Sequence, residues 1–281
     1  METIVSSATK KVVISDTRPT VLIGERINPT GKKKLTVALQ TGDMEIVRKE
    51  ALEQVQAGAS ILDVNGGAAD VDEVSLLPRM VRVVMDTVDV PLCIDSSNPE
   101  ALKAALAVYR GKPLINSVTG EEESLKRVLP LVKEYKAAVI GLAMDEAGIP
   151  PDAERRVTIA HKIVERAEAI GIPRADVVID CLTLTLGADS KAGLITLETI
   201  RRVKSELGTN MTLGAGNISF GLPDRSLLTG IFLSMVIAAG VTCPIVDVAS
   251  VRAAVLAADL VLGRDDYAMN YIRDYRQRQK Q

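Results

Sequence analysis

The sequence predicts an α/β fold, a single (β/α)8 barrel of the TIM type, and three observations carry that expectation. Eight short apolar runs recur along the chain: VLIGER, ILDVN, PLCID, PLIN, VIGLAMD, VVID, MTLGAGN and PIVD. Near-continuous Val/Ile/Leu runs are the pattern of parallel strands covered on both faces. Between neighbouring runs lie helix-compatible stretches long enough for the crossovers that parallel pairing requires. Each run also ends on, or shortly before, a polar residue: Glu25, Asn65, Asp95, Asn116, Asp145, Asp180, Asn217 and Asp247 in order. In such a barrel the C-terminal strand ends form the rim that carries the chemistry.

Length agrees with this architecture. A barrel takes roughly 250 residues, and the chain has 281. Residues 1–20 are read as a lead-in at the barrel bottom, 21–263 as the barrel, and 264–281 as a C-terminal helix outside it. The opening METIVSSATKKVVISDTRPT lacks the apolar core of a secretory signal. Helix signals fall between the strands. Asn98-Pro99-Glu100 supplies an N-cap, an N1 proline and a first-turn acid. Acids Glu121–Glu123 open the next helix, and Asp152 opens a run to Ala169 that Gly171 and Pro173 close. Asp189 or Ser190 is the expected cap of the sixth helix. The longest apolar stretch, Leu227 to Ala239, is too short for a bilayer span of about 20 residues and is read as a buried barrel helix.

Composition excludes several classes. With 34 basic and 36 acidic residues the net charge is −2, which argues against nucleic-acid or membrane-surface binding. Cys93, Cys181 and Cys243 form no CxxC pair, so they are expected to be buried, inert thiols in a cytoplasmic protein, with no protein-bound metal. His161, the single histidine, lies mid-helix in TIAHKIVERAEAI, which removes Ser-His-Asp and Cys-His chemistry. Gly214-Ala215-Gly216 lacks the third glycine of a dinucleotide fingerprint. It is read instead as backbone that lets a flat ligand approach closely.

At the rim, Asp95 and Asp180 come from the third and sixth strands, with Asn116 and Asn217 from the fourth and seventh. Two carboxylates and two carboxamides offer acceptors and a few donors to a neutral planar heterocycle rich in N–H and NH2 groups, such as a pterin or purine. A carboxylate accepts a ring N–H and its neighbouring NH2 together, in fork geometry.

The segment IGERINPTGKKK is similar to the start of the folate domain of cobalamin-dependent methionine synthase. The further segments LDVNGG, CIDSSN, INSVTG, VIDCL and GNISFGLPDR resemble, in the same order, the methyltetrahydrofolate–corrinoid methyltransferases. The resemblance spans about Val21 to Leu262. It implies a barrel that moves a methyl group between N5 of tetrahydrofolate and the cobalt of a corrinoid. Asp95, Asn116 and Asp180 would hold the pterin, Asn217 would stand near N5, and Arg225, Glu25 and Asn28 would complete the folate site. Asn217 and Asp95 are the residues expected to act in catalysis. Phe220 stands where the family's acetogen members are expected to carry a polar residue. The corrinoid (cobalamin) is expected on a partner protein, because no Asp-x-His-x-x-Gly signature surrounds His161. The same resemblance implies a homodimer. Dihydropteroate synthase, of the same superfamily, and a non-catalytic pterin-binding docking module are the alternative readings.

Overall fold

A computed structural model describes residues 1–279; residues 280 and 281, the end of the stretch read as a C-terminal helix, lie outside the described residues. The chain opens with an antiparallel hairpin, β1 (Thr3–Ser6) and β2 (Lys11–Ile14). Eight parallel strands follow: β3 (Ile23–Ile27), β4 (Ile61–Asn65), β5 (Leu92–Asp95), β6 (Leu114–Thr119), β7 (Ala138–Leu142), β8 (Val177–Asp180), β9 (Asn210–Thr212) and β10 (Ile245–Val246). They pair in the order β10-β3-β4-β5-β6-β7-β8-β9. The ring closes where Ile245 N–H donates to the Leu213 carbonyl at 3.0 Å and Gly214 bridges Ile245 in parallel.

Helices α1 (Lys33–Thr41) and α2 (Glu45–Ala57) both lie between β3 and β4. Then α3 (Glu73–Thr87), α4 (Pro99–Val108), α5 (Glu122–Glu134), α6 (Ala153–Ala169), α7 (Ala192–Glu206) and α8 (Arg225–Ala239) alternate with the strands. Helix α9 (Val248–Val261) follows β10, and α10 (Met269–Arg278) ends the described chain. No helix among the described residues is long and apolar enough to cross a membrane.

The local signals act as their chemistry requires. Asn98 caps α4 by accepting the Glu100 N–H at 3.0 Å, and Asp152 caps α6 by accepting the Arg155 N–H at 2.8 Å. Helix α7 starts later than the sequence suggests. Asp189 folds back onto the Lys191 N–H at 2.8 Å in an Asx turn, so the helix begins at Ala192. The stretch 265–278 is broken as well: Tyr267 and Ala268 take φ of +54° and +57°, and the Asp265 carboxylate caps α10 through the N–H groups of Asn270 and Tyr271. Arg252 of α9 donates to Asp274 of α10 at 2.7 Å, fixing α10 to the barrel exterior. The apolar run 227–239 is buried on one face only. Phe232, Leu233, Val236 and Ile237 face the core, whereas Leu227, Ile231 and Met235 stand exposed.

Strand periodicity sorts the wall into two cores. Residues such as Leu62, Val64, Leu92, Ile94, Ile115 and Val139 pack outward against the helices. Their alternates Ile23, Ile61, Cys93, Leu114, Ala138, Ile140 and Val178 form a separate interior cluster with Val5, Val12 and Ile14 of the hairpin. The hairpin therefore fills the barrel bottom. It is tied there by Asn210, whose carboxamide donates to Thr3 Oγ1 at 2.9 Å and to the Ile14 carbonyl at 3.0 Å. Ser6 and Lys112 exchange backbone hydrogen bonds at 2.8 and 3.0 Å. Because side chains alternate with period two, Asp63, Asn65, Asp95, Asn116 and Asp180 share the inward parity of this cluster. The interior is thus apolar below and polar above, which sets a hydrophilic layer directly on a dry floor.

Candidate active site

The polar layer is assembled by register. Asn65 lies beside Asp95, Asp95 beside Asn116, and Asp180 beside Thr212 on β8 and β9, farther around the ring. Side-chain hydrogen bonds then link it. Asn65 Nδ2 donates to Asp95 Oδ2 at 2.9 Å, and Asn116 Nδ2 donates to Asp63 Oδ1 at 3.1 Å. Asn65 is itself held by the Gly67 N–H, which donates to its Oδ1 at 2.8 Å.

Asp63 belongs to this constellation and was not singled out by the strand-end reading. Only 2% exposed, it sits below Asn65 on the same strand. Its signal in the sequence is an acid inside the apolar run ILDVN, two residues before Asn65 and so on the same face. Burial, reinforced by the neighbouring Asp95 carboxylate, pushes its pKa well above the ordinary carboxylate range. Burial also raises Asp95, against the hydrogen bond from Asn65. Two adjacent buried carboxyl groups cannot both ionise cheaply.

Across the mouth, Asp180 is pushed up to about 7 by burial, opposed by the Leu182 N–H at 2.7 Å and by the Arg156 charge. Buried carboxylates supplied with so few donors demand hydrogen from a ligand. Beside Asp95 a cleft of about 430 Å³ opens, lined by Ser97, Ser117, Thr119, Leu142 and Met144 among others.

The other expected residues occupy the rim in different states. Glu25 is half-buried, and burial raises its pKa; Lys32, Arg225 and Arg26 oppose that shift, while Asp247 adds to it. It borders a smaller cavity of about 230 Å³ with Gly216, Arg225 and Asp247. Asn28 turns its Oδ1 back to the Thr30 N–H at 2.9 Å, shaping the loop that follows β3. Asn217 stands exposed on a 3-10 turn, Ala215–Ser219, and its carboxamide has no hydrogen-bond partner among the described residues. Arg225 braces that turn: it donates to the Gly216 carbonyl at 2.9 Å and to Ser219 Oγ at 3.2 Å. Phe220 is 66% exposed, its ring centre 5.8 Å from the Arg225 guanidinium.

The two remaining strand-end acids lie beside arginines. Asp145 accepts the Ala147 N–H at 3.0 Å and pairs with Arg155 at 3.0 Å, holding the turn after β7. Asp247 lies 3.6 Å from the Arg26 guanidinium, with its Oδ1 buried and unpartnered among the described residues. All three cysteines are buried and free, and burial pushes each thiol up. His161 pairs with Glu206 at 3.1 Å.

Residues 24–247 match the family of pterin binding enzymes. The chain is 32% identical over 267 residues to the methylcorrinoid:tetrahydrofolate methyltransferase of Eubacterium limosum, covering 92% of this chain and 96% of that one. It is also 32% identical over 254 residues to the methionine synthase of Mycobacterium leprae (strain TN), covering 83% of this chain but only 21% of that much longer protein. Among solved structures, Xanthomonas albilineans dihydropteroate synthase with 4-aminobenzoic acid superposes with a TM-score of 0.69 at 21% identity, over 93% of this chain and 98% of that one. At that identity the likeness establishes the barrel fold. On its matched length and identity, the chain belongs to the pterin-binding enzymes and, within them, to the methyltetrahydrofolate–corrinoid methyltransferases.

Proposed function

We propose that this protein transfers a methyl group between a corrinoid cobalt and N5 of tetrahydrofolate, working from methylcorrinoid toward tetrahydrofolate. The observation that carries the reading is the inward polar layer of Asp95, Asn116 and Asp180, at a mouth where Asp95 and Asp180 each accept a single hydrogen bond from the described residues. A pterin presents an N–H and NH2 edge that supplies those donors, and its flat ring suits a site floored by apolar side chains. Asp63 supports the layer from below through Asn116. The full-length likeness to a methylcorrinoid:tetrahydrofolate methyltransferase supports both the reaction and its direction.

In this reading Asn217 stands at N5. A carboxamide accepts from the N–H of the unmethylated amine and donates to the lone pair of the methylated one, so it serves both ends of the reaction. As the C–N bond forms, the cobalt–carbon bond would break with its electron pair kept by the leaving corrinoid, the N5 proton leaves through water, and the rim carboxylates Glu25 and Asp95 are the acceptors at hand. Positioning of the methyl carbon in line with N5 supplies much of the remaining acceleration. The corrinoid arrives on a partner protein that docks over the mouth, the protein works as a homodimer in the cytoplasm, and the exposed stripe Leu227, Ile231 and Met235 on α8 supplies an apolar face for that dimer.

Asn217→Ala tests the assignment. The side chain is exposed and without internal hydrogen bonds, so the melting temperature is expected to stay within about 1 °C. The kcat/KM for methyl transfer is expected to fall on the order of 10²-fold, as when one polar catalytic group is lost. An unchanged steady-state rate in the folded variant would remove Asn217 from the chemistry.

A further inference from the structure

The bulkiest fully buried side chain in the protein is not apolar: it is Arg156, on α6, 1% exposed. Among the described residues no carboxylate lies within ion-pair distance of it. Its guanidinium is spent on three backbone carbonyls, Nε on Pro150 at 2.9 Å and Nη1 on Cys181 at 3.2 Å and on Leu182 at 2.9 Å. Taking an arginine charge out of water for neutral acceptors alone is costly, so its placement calls for a further reason.

That reason is the segment it grips. Cys181 and Leu182 directly follow Asp180 at the exit of β8. Leu182 takes a φ of +56°, the left-handed region that non-glycine residues enter only when their surroundings impose it. In that conformation its N–H turns back to donate to Asp180 Oδ1 at 2.7 Å. The Cys181 carbonyl and the Leu182 N–H are two ends of one peptide unit. Arg156 therefore holds one end of the peptide whose other end holds Asp180. Thr196 Oγ1 adds a second clamp, its one proton shared between the Leu182 carbonyl and the Ala192 carbonyl of its own helix, both at 3.0 Å.

We propose that Arg156 is a positioning residue of the pterin site: through the Cys181–Leu182 peptide it aims Asp180 and favours its ionised form. A hydrogen bond on the carbonyl polarises the peptide and strengthens the bond its N–H donates, and the positive charge behind it acts in the same sense. The Arg156 charge opposes the effect of burial on Asp180, in agreement with this geometry. Other groups around the pair do not compete. Cys181 and Cys243 are buried thiols whose pKa is pushed far up, so they stay neutral, while Asp152 and Asp189 face Arg156 itself. The inference rests on the assignment of Asp180 to pterin binding.

The test is equilibrium binding of 5-methyltetrahydrofolate between pH 5.5 and 9, for the wild type and Arg156→Met, Arg156→Lys, Thr196→Val and Asp180→Asn. For Arg156→Met, Kd is expected to rise about tenfold at pH 7, and the midpoint of its pH dependence to move up by about half a unit or more. Arg156→Lys restores part of both shifts, and Thr196→Val, which keeps the buried charge, weakens binding about threefold without moving the midpoint. A folded Arg156→Met with the wild-type Kd and pH profile overturns the proposal. Should that variant fail to fold, wild-type profiles and affinities in Arg156→Lys and Thr196→Val together overturn it. Wild-type affinity in Asp180→Asn would instead overturn the site assignment itself, which separates the two failures.

Discussion

Replacing Asp180 with asparagine is expected to stabilise the fold above neutral pH while it weakens pterin binding. In the folded protein the Asp180 carboxyl holds its proton up to about pH 7, against an ordinary value of 3.8. The unfolded chain releases that proton near pH 4, so between about 4 and 7 the folded state binds more protons than the unfolded one. Stability contributed by this group therefore falls as pH rises through that window, and the loss is complete above about 7. A shift of about three units at 1.36 kcal/mol each sets the cost on the order of 4 kcal/mol. Asparagine keeps an oxygen for the Leu182 N–H but carries no charge, so most of that cost disappears. At a gain of about 2–4 °C per kcal/mol for a chain this long, Asp180→Asn should melt roughly 5–15 °C above the wild type at pH 8. Scanning calorimetry from pH 4 to pH 8 on both proteins checks this, with the gap near zero at pH 4. A variant that melts below the wild type at pH 8, or a gap that does not change with pH, would refute the reasoning.

Two further substitutions probe other parts of the account. Gly111 has φ +124°, and a Cβ there would meet the Ser6 carbonyl oxygen at 2.2 Å. Gly111→Ala is expected to break the pairing that fixes the bottom hairpin and to cost about 2–4 kcal/mol, seen as a lower midpoint in urea; an unchanged midpoint would show that the hairpin is not held there. Arg225→Ala removes both donors that brace the turn carrying Asn217. It is expected to lower kcat about tenfold with the Kd of 5-methyltetrahydrofolate changed less than about threefold, whereas an equal loss in Kd would place the guanidinium on the ligand.

Much of the barrel was legible because strands buried on both faces must be apolar and must end where the chain meets the rim. That rule locates Asp95, Asn116 and Asp180 without any knowledge of their partners. It does not separate strand-end acids that enter the mouth from those used by the loops: Asp145 is consumed by Arg155 and the Ala147 N–H, a pairing set by where α6 begins. Asp63 escaped because the rule looks at strand ends, while the parity of Ile61, Asp63 and Asn65 would have found it. The strand-end rule says nothing of Asn28, whose Oδ1 is engaged in an Asx turn to Thr30, a local bond available to any Asn in Asn-Pro-Thr. The first strands of the chain were read only as a lead-in, since TIVS and KVVI are too short to declare themselves as a hairpin without the apolar floor they cover. Arg156 could not be read at all: in the helical run AERRVTIAHK it is one charged residue of several, and only the crossing of α6 behind β8 buries it.

The most direct test of the central claim mixes the purified protein with tetrahydrofolate and methylcobalamin, no other protein present, and follows the corrinoid absorbance. Methylcobalamin is expected to be consumed as 5-methyltetrahydrofolate appears in equal amount, with the rate sharply reduced in Asn217→Ala. Tight binding of tetrahydrofolate with no methyl transfer to it, and none from 5-methyltetrahydrofolate to reduced cobalamin, would contradict the account.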